Sequence, residues 1–105
     1  MQRYALCTRL QAGKYEEYKR LHADVWPGVL EAIRQCNIRN YSIYYKDGLL
    51  FSYFEYHGND FEADMAKMSA NPICAEWSQL CRPCLEPLPP EWWTPTMMEE
   101  LFHTE

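Results

Sequence analysis

The sequence predicts an α+β domain, a four-stranded antiparallel sheet with helices packed on one face. Three observations predict it. The apolar period changes from two to that of a helix after Gly13, two aromatic strand-like runs flank an Asp-Gly pair, and helix-start signals recur before the proline-rich end.

Taken in order, Tyr4, Leu6, Thr8 and Leu10 alternate with Arg3, Ala5, Cys7 and Arg9, the pattern of a first strand that Gly13 ends. From Lys14 to Cys36, residues Tyr15, Tyr18, His22, Trp26, Val29, Ile33 and Cys36 recur at spacings of three and four, a helical stripe. Pro27 lacks a backbone donor and crowds the carbonyl of Ala23, so a kink or break is expected there, with Asp24 capping a second segment. Ile38 to Tyr45 and Leu49 to Tyr56 read as strands two and three, joined through Lys46-Asp47-Gly48 as a hairpin. Gly58-Asn59-Asp60 resembles a helix start, with Glu62 completing a capping pattern from Asn59, and Phe61, Met65 and Met68 form the buried stripe. Asn71-Pro72 reads as N-cap and first position of a further helix carrying Ile73, Trp77, Leu80, Cys81 and Cys84 on one face. Residues 85–96 are proline-rich and expected to run extended, along the body of the protein or across a partner subunit, and Met98 to His103 reads as the last strand. The order is βαββαβ, the ferredoxin-like arrangement, in a single domain spanning 1–105.

Composition narrows the function. A chain of 105 residues can bury a core without metal or disulfide support, and 48% apolar residues mark it as globular. Its net charge of -5 argues against nucleic acid and acidic membrane surfaces, which require clustered Lys and Arg. No signal-like or spanning apolar run opens the sequence, so a cytoplasmic location is expected, with the five cysteines reduced. The middle hairpin is apolar or aromatic on both faces, with Tyr41, Ile43 and Tyr45 against Tyr44 in its first strand, and Leu49, Phe51 and Tyr53 against Leu50, Phe54 and Tyr56 in its second. Helices cover only one face, so a homodimer packed sheet against sheet, a dimeric α/β barrel, is expected.

Tyr18, His22 and Trp26 are spaced to stack over two helical turns, placing a titratable imidazole between a phenol and an indole. Aromatic faces suit the apolar face of a pyranose, and imidazole exchanges protons near neutrality. The plainer reading is an aromatic stripe in which His22 satisfies a carbonyl. Cys81-Arg82-Pro83-Cys84 has redox-pair spacing but lies at the C-terminal end of its helix, where the dipole does not favour a thiolate. It also lacks the companion ligands of a zinc site, so packing is the expected role and no metal or cofactor is expected. His57 reads as a turn residue, and His103 as a last-strand residue that could face the sheet interior.

The run from Tyr15 to Pro27, YEEYKRLHADVWP, resembles the signature helix of the L-rhamnose mutarotases. Asn40 to Tyr44, Leu49 to Phe51, Cys74 to Trp77 and the ending Met98 to His103 extend the likeness over nearly the whole chain. The resemblance implies a ferredoxin-like homodimer that interconverts the anomers of a 6-deoxy-hexose without cofactor or metal. It implies His22 as proton donor, Tyr18 and Tyr41 as sugar-contacting tyrosines, and Trp77 as the first of two adjacent sugar-binding tryptophans. Ser78 stands where the second indole would be, so Trp92 or Trp93, of the same or of the other subunit, is the candidate to replace it. The polar Asn40 and Ser42 beside Tyr41 favour a sugar over the planar substrate of a cofactor-free monooxygenase, the rival enzyme on this fold. A non-catalytic sugar-binding dimer is the other rival, and L-fucose or another L-sugar an alternative substrate.

Overall fold

In a computed structural model that describes residues 1–91 and 93–105, the elements are β1 (Gln2–Arg9), α1 (Tyr15–His22), α2 (Pro27–Gln35), β2 (Ile38–Lys46), β3 (Leu49–Tyr56), α3 (Phe61–Ala70), α4 (Pro72–Cys81) and a short α5 (Trp93–Thr96). The three strands form one antiparallel sheet in the order β1-β3-β2. The β2–β3 hairpin turns at Asp47 and Gly48, both with positive φ (52° and 84°), as a tight turn matched to strand twist requires.

The expected proline break divides the first helical stripe into two helices. Ala23 N–H returns to the carbonyls of Lys19 and Arg20, closing α1, and α2 restarts with Pro27 at its first turn. Asp24 does not cap it. Trp26 occupies the N-cap in extended conformation, with no side-chain cap bond, because proline at the first position already removes one of the donors a cap would satisfy. Gly28 then lets α2 approach α4: a Cβ there would stand 2.8 Å from the Ile73 Cδ1. On α3 the cap is Asp60, whose side chain accepts from Ala63 N–H, in place of the expected Asn59. Asn71 caps α4 through the amides of Ile73 and Cys74, with Pro72 following it.

Cross-strand register sorts the sheet residues into two faces. Leu6, Leu50, Phe54 and Tyr56 lie on the helix-covered face and are almost fully buried. Arg3, Ala5, Cys7, Tyr44, Leu49, Phe51 and Tyr53 lie on the other. The core is divided. Leu6, Ile38, Phe54, Met65 and Trp93 form one cluster, and Leu10, Leu21, Leu50, Cys81 and Cys84 another.

Two expectations about the C-terminal part need correction. The proline-rich stretch crosses the body, with Glu86 N–H bonded to Arg9 and Leu85 bridging Leu10, but it is not extended throughout, since Trp93–Thr96 coils into α5. Met98 to His103 does not form a fourth strand. One bridge, Leu6 to Met97, and the bond from Met98 N–H to the Ala5 carbonyl mark the start of one, and the chain then leaves the sheet, with Leu101 87% and Phe102 81% exposed. None of the described residues covers those two side chains, so they contribute no apolar burial that would hold the segment to β1.

Candidate active site

Between the two core clusters lies a cavity of about 480 Å³. Its walls are shared by α1, the helix-covered sheet face, α4 and the proline-rich crossing. Tyr18, His22, Tyr41, Trp77 and Ser78 all line it, so α1, β2 and α4 bring five of the six residues singled out in the sequence to one space.

His22 ends α1. A carbonyl can only accept, so at 3.0 Å from the Tyr18 carbonyl the His22 Nδ1 carries its proton as a donor. This is the carbonyl contact of the plainer sequence reading, and it coexists with a cavity-lining position. The neutral ring is thereby fixed as the Nδ1–H tautomer, leaving the Nε2 lone pair for another partner. The ring stacks on Tyr18 at 4.1 Å between centroids and meets the edge of Trp77 at 5.5 Å. Burial disfavours the imidazolium and lowers the His22 pKa below its ordinary value, partly opposed by the bond to Tyr18.

Burial also raises the Tyr18 phenol pKa, with further contributions from Tyr41, Cys81 and Cys84. Both Tyr18 and Tyr41 therefore remain neutral phenols at physiological pH. Tyr41 keeps 38% residue exposure on the edge strand, yet burial is the main cause raising its phenol. The ring's outer side meets solvent while its other side lies 5.6 Å from the Phe54 ring, in the cavity wall that Ser52 also lines.

Trp26 does not line the cavity. The helix break cancels the four-residue spacing from His22, and Trp26 instead packs edge-on against Trp77 at 5.2 Å, supporting that wall from behind. Asn40 and Ser42 are likewise absent from the walls. Ser42 pairs with Tyr53 on the opposite sheet face, and the Asn40 amide donates to Glu55. Sequence reasoning passed over Ser52, Thr8, Ser69 and Arg82, which supply cavity polarity from β3, β1, α3 and the turn after α4. Ser52 had a detectable signal, since it is the one hydroxyl between Leu50 and Phe54 on an otherwise apolar strand face. Trp93 lines the cavity from its own subunit, whereas Trp92 lies outside the described residues.

Cys81 and Cys84 are buried in the second cluster, and burial raises both thiols, Cys81 to about 12, so neither supplies a thiolate at neutral pH. Among the described residues no three His, Cys, Asp or Glu side chains gather as metal ligands would. His57 is exposed at a turn, 3.8 Å from Glu55. His103 is exposed rather than facing the sheet.

Fold and cavity define a ferredoxin-like α+β protein with a ligand-sized, aromatic-walled chamber and one imidazole at its wall. Comparison with known proteins narrows this. The sequence model of the L-rhamnose mutarotase family matches residues 3–104. An L-rhamnose mutarotase of Bacillus subtilis is 33% identical over 88 residues, 82% of each chain. The crystal structure of an L-rhamnose mutarotase from Formosa agariphila superposes with a TM-score of 0.80 at 21% identity, covering both chains completely. The polyketide cyclase tetracenomycin F2 cyclase of Streptomyces glaucescens shares the fold, with a TM-score of 0.73 at 14% identity, covering 100% of this chain and 98% of that one. The chain belongs to the L-rhamnose mutarotase family. No helix among the described residues is long and apolar enough to cross a membrane.

Proposed function

We propose that this chain is an isomerase that interconverts the α and β anomers of L-rhamnose, with His22 as its proton-transfer residue. The observation that carries the assignment is the His22 ring itself. It is fixed at Nδ1 and held between Tyr18 and Trp77 at the wall of a chamber that also presents Tyr41 and Ser78.

Anomer exchange requires the ring C1–O5 bond to break and reform. In this scheme protonated His22 gives its Nε2 proton to the ring oxygen while the anomeric hydroxyl loses its proton to water. The open aldehyde turns about C1–C2, O5 attacks its other face, and the protons return. Tyr18, held as a neutral phenol, orients the anomeric hydroxyl, and Tyr41, Trp77 and Ser78 hold the rest of the ring. A positioned acid–base group contributes roughly 10²–10⁴-fold, which suits a reaction that already proceeds slowly in water. His22→Ala should reduce exchange between the L-rhamnose anomers, followed by saturation-transfer NMR, to the uncatalysed rate while the thermal transition stays in place. Exchange at the wild-type rate in that variant would reject the assignment. Running the same assay over L-fucose and other L-sugars ranks the substrates, and unchanged exchange with every sugar, despite binding, would identify a non-catalytic binder.

The proposal extends to assembly. The uncovered sheet face presents Tyr44, 65% exposed, beside Phe51, Tyr53 and Leu49, and favours a homodimer through that face. The bridge from Met97 and the bond from Met98 to β1 support a reading in which the segment beyond them pairs as a fourth strand once a second copy covers Leu101 and Phe102. A cytoplasmic setting fits the free cysteines.

A further inference from the structure

β2 contains one residue more than its partner strand can match. Arg39 pairs with Glu55 and Ser42 with Tyr53, so Asn40 and Tyr41 together oppose Phe54. The consequence is a change of phase. Ile38 and Ile43 are an odd number of residues apart and would face opposite sides of a regular strand. Here Ile38 is buried in the first cluster and Ile43 packs on the second, both beneath the helices. Tyr41 joins them on the cavity side, its ring 5.6 Å from Phe54.

Asn40 makes the bulge possible. Its φ is 51°, a left-handed conformation that asparagine tolerates better than most side chains. Its amide Nδ2 donates to the Glu55 Oε1 at 2.7 Å, and the Glu55 Oε2 accepts from the Tyr53 hydroxyl at 2.9 Å. Glu55 thus fastens the bulged edge strand to the central strand on the face opposite the cavity. Neither Asn40 nor Glu55 lines the cavity. Tyr41 needs such fixing, because on the edge strand with 38% exposure it is not locked by packing on all sides.

We propose that the Asn40–Glu55 clasp is a positioning device that aims the Tyr41 hydroxyl at the bound sugar. Ser52 lines the same cavity from the central strand, and the clasp fixes the backbone from which the Tyr41 side chain enters it. The inference rests on Tyr41 as a sugar contact, and the test separates the two ideas through a double-mutant cycle in the anomer-exchange assay.

Glu55→Ala and Asn40→Gly, the latter keeping the backbone conformation accessible, should each raise KM for L-rhamnose about three- to tenfold, the scale of one well-placed hydrogen bond. Their kcat should change far less. Glu55→Gln, which still offers Asn40 an acceptor oxygen, should restore most of the loss. In a Tyr41→Phe background, Glu55→Ala and Asn40→Gly should shift KM less than twofold further. A merely structural contribution would instead add fully in both backgrounds, and that result overturns the proposal. So does a wild-type KM in both Glu55→Ala and Asn40→Gly. A wild-type KM in Tyr41→Phe also overturns it, while an inactive His22→Ala would leave the isomerase assignment standing.

Discussion

His22 owes its chemical direction to a backbone atom. Its Nδ1 proton is committed to the Tyr18 carbonyl, so every exchange with a ligand passes through Nε2, and burial makes the imidazolium scarcer but more acidic than in water. A sign follows for the pH profile. If the protonated ring gives its proton to the sugar oxygen, kcat/KM rises as pH falls and levels off below an apparent pKa lying under 6.5, the ordinary histidine value. Saturation-transfer rates from pH 8 to pH 5, corrected for spontaneous exchange, measure this. A catalysed rate that climbs with pH through the same range would make Nε2 a base in the rate-limiting step. The Tyr18–His22 pair was legible in the sequence because four-residue spacing on an unbroken helix puts side chains on one face. Trp26 was misplaced by the same rule, since Pro27 ends the helix between them. Ser52 stood out as a lone hydroxyl on an apolar strand face, but that it lines the chamber depends on the elements packed over that face.

Among the elements, strand and helix positions followed from local chemistry, while the β2 bulge did not. Asp47-Gly48 and Asn71-Pro72 act through their own backbones and could be read directly. The bulge depends on which residues lie across the sheet, and only the odd spacing of Ile38 and Ile43 hinted at it. Asn71→Ala, by removing the acceptor for two α4 amides, should cost about 1 kcal/mol in urea unfolding. A larger loss is expected at the link between β3 and α3. Buried Asp64 accepts from the Tyr56 hydroxyl at 2.5 Å and the Asn37 amide at 3.1 Å, and these bonds hold its pKa below the ordinary carboxylate value. Tyr56→Phe should therefore destabilise by about 1–3 kcal/mol. The pH dependence has a definite sign. Asp64 has a lower pKa folded than unfolded, so its contribution is complete above the unfolded value, 3.8, and is lost as pH falls through the folded one. Urea midpoints measured between pH 6 and pH 3 should fall less steeply for Tyr56→Phe than for the wild type. Parallel curves would remove Asp64 from the account.

For the whole molecule, opening the site and exposing the sheet follow from the same shortage of covering elements. Four main helices on one face leave an unfilled space between two small core clusters, and that space is the chamber. The same helices leave the opposite face bare, with Tyr44, Phe51 and Tyr53 in one cross-strand group and the side chains of Leu101 and Phe102 beyond it. The two-faced hairpin was visible in the sequence, but the last strand was overread, because its apolar residues find no cover within one subunit. Stable association buries about 800 Å² on each partner, and this face together with the tail offers the apolar surface for it. The wild type should therefore sediment at twice the mass of the chain at micromolar concentration. Phe51→Glu, which would put a charge into the aromatic face that the dimer buries, should shift that equilibrium to monomer by at least tenfold in Kd, the effect of about 1.4 kcal/mol. Since Phe51 points away from the helices, the monomeric variant should retain its helical circular dichroism. A wild type that sediments as a monomer would reject the dimer, and a Phe51→Glu variant that stays dimeric would place the contact between copies on another face.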